Sequence, residues 1–98
     1  MNPYAEDIIK SMWDDKNFPA ERFGVVSIGM FGSCAAGNQN KESDLDFLVE
    51  LNAPRFDWLA GLQIYLEQKF DRKIDLIRKS RRVKNSFIER IERDVIYA

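Results

Sequence analysis

The chain has 98 residues, a formal net charge of −1, one cysteine and no histidine. Its 45% hydrophobic and 32% charged content suits a folded chain with one modest core, and the near-neutral charge argues against duplex nucleic acid or an anionic membrane as the main partner. A lone Cys34 and the absence of histidine exclude an internal disulfide, imidazole- or thiolate-held zinc, and Ser-His-Asp or Cys-His catalysis. Any chemistry must run on carboxylates, hydroxyls, lysine, arginine or a hard cation held by oxygen. Met1 to Lys10 lacks the charged and apolar regions of a leader, and no apolar run approaches membrane-spanning length. The expectation is one cytoplasmic domain over residues 1–98.

Asn2-Pro3 reads as a helix start, and Ala5, Ile8, Ile9, Met12 and Trp13 recur at the spacing of an amphipathic helix. That helix is expected to end near Asn17-Phe18-Pro19. Between Phe23 and Phe31 the residues Val25, Val26, Ile28 and Met30 predict a buried strand. Gly32 to Ser43 is small and polar, a loop or short helical turn. A second strand alternates at Leu45, Phe47, Val49 and Leu51 and is closed by Asn52-Ala53-Pro54. Phe56, Leu59, Leu62, Leu66 and Phe70 predict the longest helix. Lys73–Ile77 predicts a short strand, and Val83, Phe87, Ile88 and Ile91 form the stripe of a last helix. The order α-β-β-α-β-α implies a two-layer α/β (α+β) sandwich on a small mixed sheet. Trp13 and Trp58 are expected to anchor the core or an interface.

Two stretches carry candidate chemistry. Gly29-Met30-Phe31-Gly32-Ser33-Cys34-Ala35-Ala36-Gly37 lies where a buried strand runs into a turn of small residues. Glycine there lets backbone approach a ligand, and free N–H groups with a serine hydroxyl suit phosphate. A purely steric Gly-Ser turn is the alternative. In Ser43-Asp44-Leu45-Asp46-Phe47-Leu48-Val49 the two aspartates stand at i and i+2 of a strand. They therefore share one face, with α-carbons roughly 6.5–7 Å apart, while Leu45, Phe47 and Val49 turn to the core. Carboxylates so close raise each other's pKa unless a cation lies between them, and oxygen-only ligands suit magnesium. Solvated aspartates at a strand start are the alternative.

Asp75 opposes Ile74 and Leu76 on the later strand. It joins the acidic face if that strand lies beside 45–51, and otherwise pairs with Lys73 or Arg78. Three carboxylates with a triphosphate equip a two-metal transfer, one of them placed to take a proton from an attacking hydroxyl. The basic run Arg78-Lys79-Ser80-Arg81-Arg82-Val83-Lys84 suits either a phosphate or acidic partner, or a solvated connection.

Gly32-Ser33, ten intervening residues and then Asp44-Leu45-Asp46 together resemble the signature of the nucleotidyltransferase superfamily of the DNA polymerase β type. More narrowly the chain is similar to minimal nucleotidyltransferases, including the MNT antitoxins that pair with HEPN ribonuclease toxins. The resemblance runs from Val25–Phe31 to Glu89-Arg90-Ile91-Glu92-Arg93. It implies a small mixed sheet with helices packed on one face. It also implies that Gly32 and Ser33, with Gly37 and Lys41 in the same loop, hold the triphosphate of ATP or another NTP. Asp44 and Asp46 would bind two Mg²⁺ ions, with Asp75 completing the catalytic and metal set. One position departs from the pattern: Ala36 precedes Gly37 where members of the family often have arginine, and Lys41 is the residue expected to compensate.

The function so implied is Mg²⁺-dependent transfer of a nucleoside monophosphate, AMP, to a hydroxyl on a HEPN-type partner protein. A chain of this length leaves the acceptor surface to that partner; a homo-oligomer is compatible with the sequence. The alternative function is a non-catalytic antitoxin that binds its partner through a degenerate nucleotide site.

Overall fold

The computed structural model describes residues 3–32, 44–79 and 86–98. Its elements are α1 (Pro3–Asp14), α2 (Asn17–Phe23), β1 (Val25–Phe31), β2 (Leu45–Leu51), α3 (Phe56–Phe70), β3 (Ile74–Arg78), α4 (Ser86–Glu92) and β4 (Ile96–Tyr97). The strands form one mixed sheet in the order β3-β2-β1-β4, with β2 parallel to β3 and antiparallel contacts elsewhere. The α/β (α+β) reading holds, with two elements more than the expected order. Among the described residues no helix is long and apolar enough to cross a membrane.

The first addition is α2. Pro19 looks like a stop in the sequence, yet it sits in the first turn of α2, where backbone N–H groups have no partner within the helix and proline loses nothing. Helix α2 then ends on Gly24, whose φ of +63° continues the chain in the left-handed region. A side chain there would also strike the Trp58 ring. The second addition is β4, two residues that hydrogen-bond along β1 opposite Gly29 and Met30.

The core lies between the sheet and α1 to α3. Met30, Leu45, Phe47, Val49, Leu62, Leu66 and Ile74 are essentially fully buried, with Ile8, Met12, Phe23, Ile28 and Leu51 around them. Each such side chain contributes roughly 1.5–3 kcal/mol on leaving water. Phe47 stacks on Phe70 with ring centroids 6.2 Å apart, and Phe18, Phe23 and Tyr65 close the α2–α3 contact. The expected alternation along β2 is therefore present. It differs at Leu48, which is only 1% exposed although it shares the aspartate face. As an interior strand, β2 is flanked there by Gly29 on β1 and Ile77 on β3.

Several expected core positions are exposed instead. Trp13 is 54% exposed, with the Lys16 ammonium 3.5 Å above its ring. Trp58 packs partly buried against the core. Phe56, at the start of α3, is 87% exposed, because the core contacts of that helix come from Leu62 and Leu66 a turn or more later. Val26 is turned outward where the β1–β2 register slips between Val25 and Ser27. Helix α4 has no buried residue; Phe87 is about half exposed, Ile88 and Ile91 are half-buried, and Val83 lies outside the described residues. The helix is tied to the sheet by Lys79, whose Nζ lies 2.9 Å from Glu92 Oε1 and whose backbone N–H donates to the Val49 carbonyl.

Candidate active site

The acidic residues meet at the end of the sheet where β1 stops and β2 and β3 begin. Parallel pairing of β2 with β3 sets Asp46 directly beside Asp75, and antiparallel pairing sets Phe31 on the other side of Asp46. Phe31, Asp46 and Asp75 thus form one row across three strands. The expectation that Asp75 joins the aspartate face depended on which strand was its neighbour, and this register supplies it.

The electrostatics of that row are strained. Asp46 is half-buried, and its carboxyl is pushed up from 3.8 to about 6. Burial is the largest cause; the charge of Asp75, a hydrogen bond between the two carboxyls and the charge of Asp44 add to it. Each of these favours the neutral form. Among the described residues, the negative charge of this group is therefore not compensated.

Gly32 directly follows β1 with a φ of +77°, a conformation that only glycine adopts without cost. A β-carbon at this position would run into the Asp46 Oδ2 atom. Glycine is thus needed twice over, once for the backbone conformation and once because the carboxylate occupies the space that a β-carbon would take. Ser33, Ala36, Gly37 and Lys41 lie outside the described residues.

Asp44 precedes β2 and is half exposed; its Oδ2 lies 3.8 Å from Lys73 Nζ. Lys73 was expected as a possible partner of Asp75. The register instead puts Ile74 opposite Leu45, which carries Lys73 to Asp44. Both partners are well exposed, so Lys73→Ala should change stability by less than about 0.5 kcal/mol, checked by thermal melting. Among the described residues no three carboxylates converge closely enough to cage a cation. The donor set is oxygen-only, and the raised pKa of Asp46 marks a place where a cation would relieve repulsion.

Sequence reasoning did not find the pocket of about 250 Å³ beside Gly32, lined by Phe31, Gly32, Phe87, Arg90, Ile91 and Asp94. The spacing of Phe87 and Ile91 along α4 was the available signal; with Val83 and Ile88 it was read as a buried stripe.

The chain is similar in sequence and in fold to known proteins. The family described as nucleotidyltransferase domain matches residues 16–98. A Methanocaldococcus jannaschii protein, provisionally named a protein adenylyltransferase, is 40% identical over 86 residues, 84% of this chain and 85% of the relative. Protein adenylyltransferase MntA of Thermococcus cleftensis is 34% identical over 93 residues, 94% of this chain and 93% of the relative. A solved structure provisionally described as a minimal nucleotidyltransferase superposes with a TM-score of 0.74 at 26% identity, covering 92% of each chain. A toxin–antitoxin structure with AMP-PNP superposes with a TM-score of 0.64 at 23% identity, over 95% of this chain and 70% of that one; at that identity it bears on the fold alone. The chain belongs to the nucleotidyltransferase domain family.

Proposed function

We propose that this chain transfers AMP from ATP to a hydroxyl group on a partner protein. The observation that carries the reading is the meeting of Asp46, Asp75 and Gly32 at one end of the sheet. The relatives named as protein adenylyltransferases support AMP as the group moved and a protein as its acceptor. The resemblance to MNT antitoxins supports a HEPN-type toxin as that acceptor and a cytoplasmic setting.

In this reading Gly32 and Ser33, with Gly37 and Lys41, grip the triphosphate. Asp44, Asp46 and Asp75 are the residues that would hold the two Mg²⁺ ions. Magnesium there would supply neutralisation of negative charge on the nucleotide phosphates. Asp75, the most exposed of the three in its strand, takes the proton of the incoming hydroxyl. The hydroxyl oxygen bonds to the α-phosphorus, the bond from that phosphorus to the bridging oxygen breaks, and pyrophosphate leaves. The half-buried position of Asp46 keeps water from competing with these charge contacts.

Lys41 is assigned to the phosphates because Ala36, in the same stretch of sequence, provides no cation. Lys41→Ala should weaken Mg·ATP binding several-fold, measured by titration calorimetry. The function itself is tested by incubating the chain with α-labelled ATP, Mg²⁺ and the product of the neighbouring gene. Label on the partner, lost in Asp44→Asn/Asp46→Asn, is the expected result. No label from the wild type, with tight partner binding retained by the double variant, would leave the non-catalytic antitoxin as the function.

A further inference from the structure

We propose that the groove between the open edge of β1 and helices α2 and α3 binds an extended segment of a partner protein as an added strand, one that alternates apolar and acidic residues. The groove is independent of the nucleotide site. It lies along Val25 to Ile28, whereas Phe31, the neighbour of Asp46, is roughly 20 Å from Val25 along the strand. The lining locates the edge. A cavity of about 250 Å³ touches Val25, Val26, Ser27 and Ile28 in succession. Successive strand residues point to opposite faces, so a cavity that meets all four runs along the edge of the strand. The other edge is taken by β2, which pairs with Val25 and with Ser27 to Phe31. On the cavity side β4 pairs with Gly29 and Met30. Ala98, itself part of the lining, donates its backbone N–H to the Ile28 carbonyl at 3.0 Å. Among the described residues no strand continues past that bond. The next stretch of β1 is therefore open to a strand laid in line with β4. Such an edge recruits extended chain through main-chain hydrogen bonds and takes specificity from pockets for alternate side chains.

The facing helices supply such a pocket. Met12, Pro19 and Leu66 give it an apolar floor. Val26, 48% exposed where the β1–β2 register slips, adds an apolar rim. One apolar side chain of an incoming strand fills this space. The charge of the lining selects what flanks that side chain: two lysines, Lys16 and Lys69, line the cavity and no acidic residue does. Lys69 is engaged by Asp15. Lys16 is exposed, and its ammonium stands over the Trp13 ring at 3.5 Å, which leaves donors for a carboxylate. A strand with acidic residues beside the apolar one complements this wall, and a basic strand is repelled by it.

The probe is a display library of random peptides, panned against the whole chain without nucleotide. Peptides that alternate apolar and acidic residues should be enriched. In NMR spectra of the labelled protein such a peptide should shift the amides of Val26 and Ser27 and slow their exchange with solvent. Ala20→Trp, at an exposed position of the lining, fills the groove, and Lys16→Glu, also exposed, reverses its charge. Each should weaken the enriched peptide about tenfold or more by fluorescence anisotropy, with the melting temperature and Mg·ATP binding as in the wild type. Enrichment of basic or helix-patterned peptides, shifts confined to other residues, or undiminished binding by both variants overturns the proposal. So does the absence of any enriched peptide. In that case, self-association of the wild type that Ala20→Trp abolishes assigns the groove to a second copy of the chain, and binding of octanoate assigns it to a small amphipathic acid.

Discussion

Asp46→Asn is expected to abolish nucleotidyl transfer, by about a thousandfold or more, and to make the protein more stable at neutral pH. The two effects share one cause. The Asp46 carboxyl is pushed up to about 6 by burial, by the Asp75 charge and by their mutual hydrogen bond, so ionising it costs the folded state more than the unfolded one. A group raised in the folded state adds stability that is complete below its unfolded value. That stability is lost as pH climbs through the folded value. In magnesium-free buffer the wild type should therefore lose stability between about pH 4 and pH 6. The full shift corresponds to about 3 kcal/mol; partial exposure of the side chain reduces it to about 1–2 kcal/mol. Asparagine keeps the shape, donates to Asp75 and never ionises, so its melting temperature at pH 7.5 should be about 5–10 °C higher. Millimolar Mg²⁺ should raise the melting temperature of the wild type and leave that of the variant unchanged. A variant that melts lower than the wild type at pH 7.5 would contradict this account of Asp46.

Such opposition between stability and activity is common at active sites, and it bears on what the sequence could reveal. The Asp44-Leu45-Asp46 spacing was legible because a strand turns alternate residues to opposite faces, and Leu45, Phe47 and Val49 reached the core as that rule requires. The placement of Asp75 was only conditionally legible. Ile74 and Leu76 gave its face, but the neighbouring strand is set by a parallel pairing across the 15-residue helix α3, a long-range contact that no local pattern encodes. The same register moved Lys73 from Asp75 to Asp44.

Other differences have local causes. Pro19 was read as a helix end because proline breaks helix interiors, and the first turn of α2 is the place where that rule does not apply. The short β4 carried a suitable Val95-Ile96-Tyr97 signal, but two paired residues are too few to show an alternation. In α4 the apolar spacing was real and its destination was not: Phe87 and Ile91 line the pocket beside Gly32 instead of the core. Periodicity reports that a face is apolar. It does not report whether protein or ligand covers it.

Gly32→Ala gives the sharpest test of how the turn and the acid pair depend on one another. The φ of +77° should cost a non-glycine residue roughly 1 kcal/mol or more. The new β-carbon would also collide with Asp46 Oδ2, while its distances to Asp46 Cγ and Cβ would be 3.3 and 3.5 Å. Relief requires the carboxylate to swing away from its place beside Asp75. The total loss of stability should thus reach about 2–3 kcal/mol, and a displacement of about 1 Å in a catalytic carboxylate should cost about a hundredfold in rate. A double-mutant cycle separates the two causes. In an Asp46→Ala background the colliding oxygen is gone and the contact with the β-carbon is an ordinary one, so Gly32→Ala should cost only its backbone strain. The coupling between the two positions is expected to be about 1 kcal/mol or more, read from denaturant unfolding of the four proteins. A coupling near zero would mean that Gly32 serves the turn alone and that the carboxylate has room to spare.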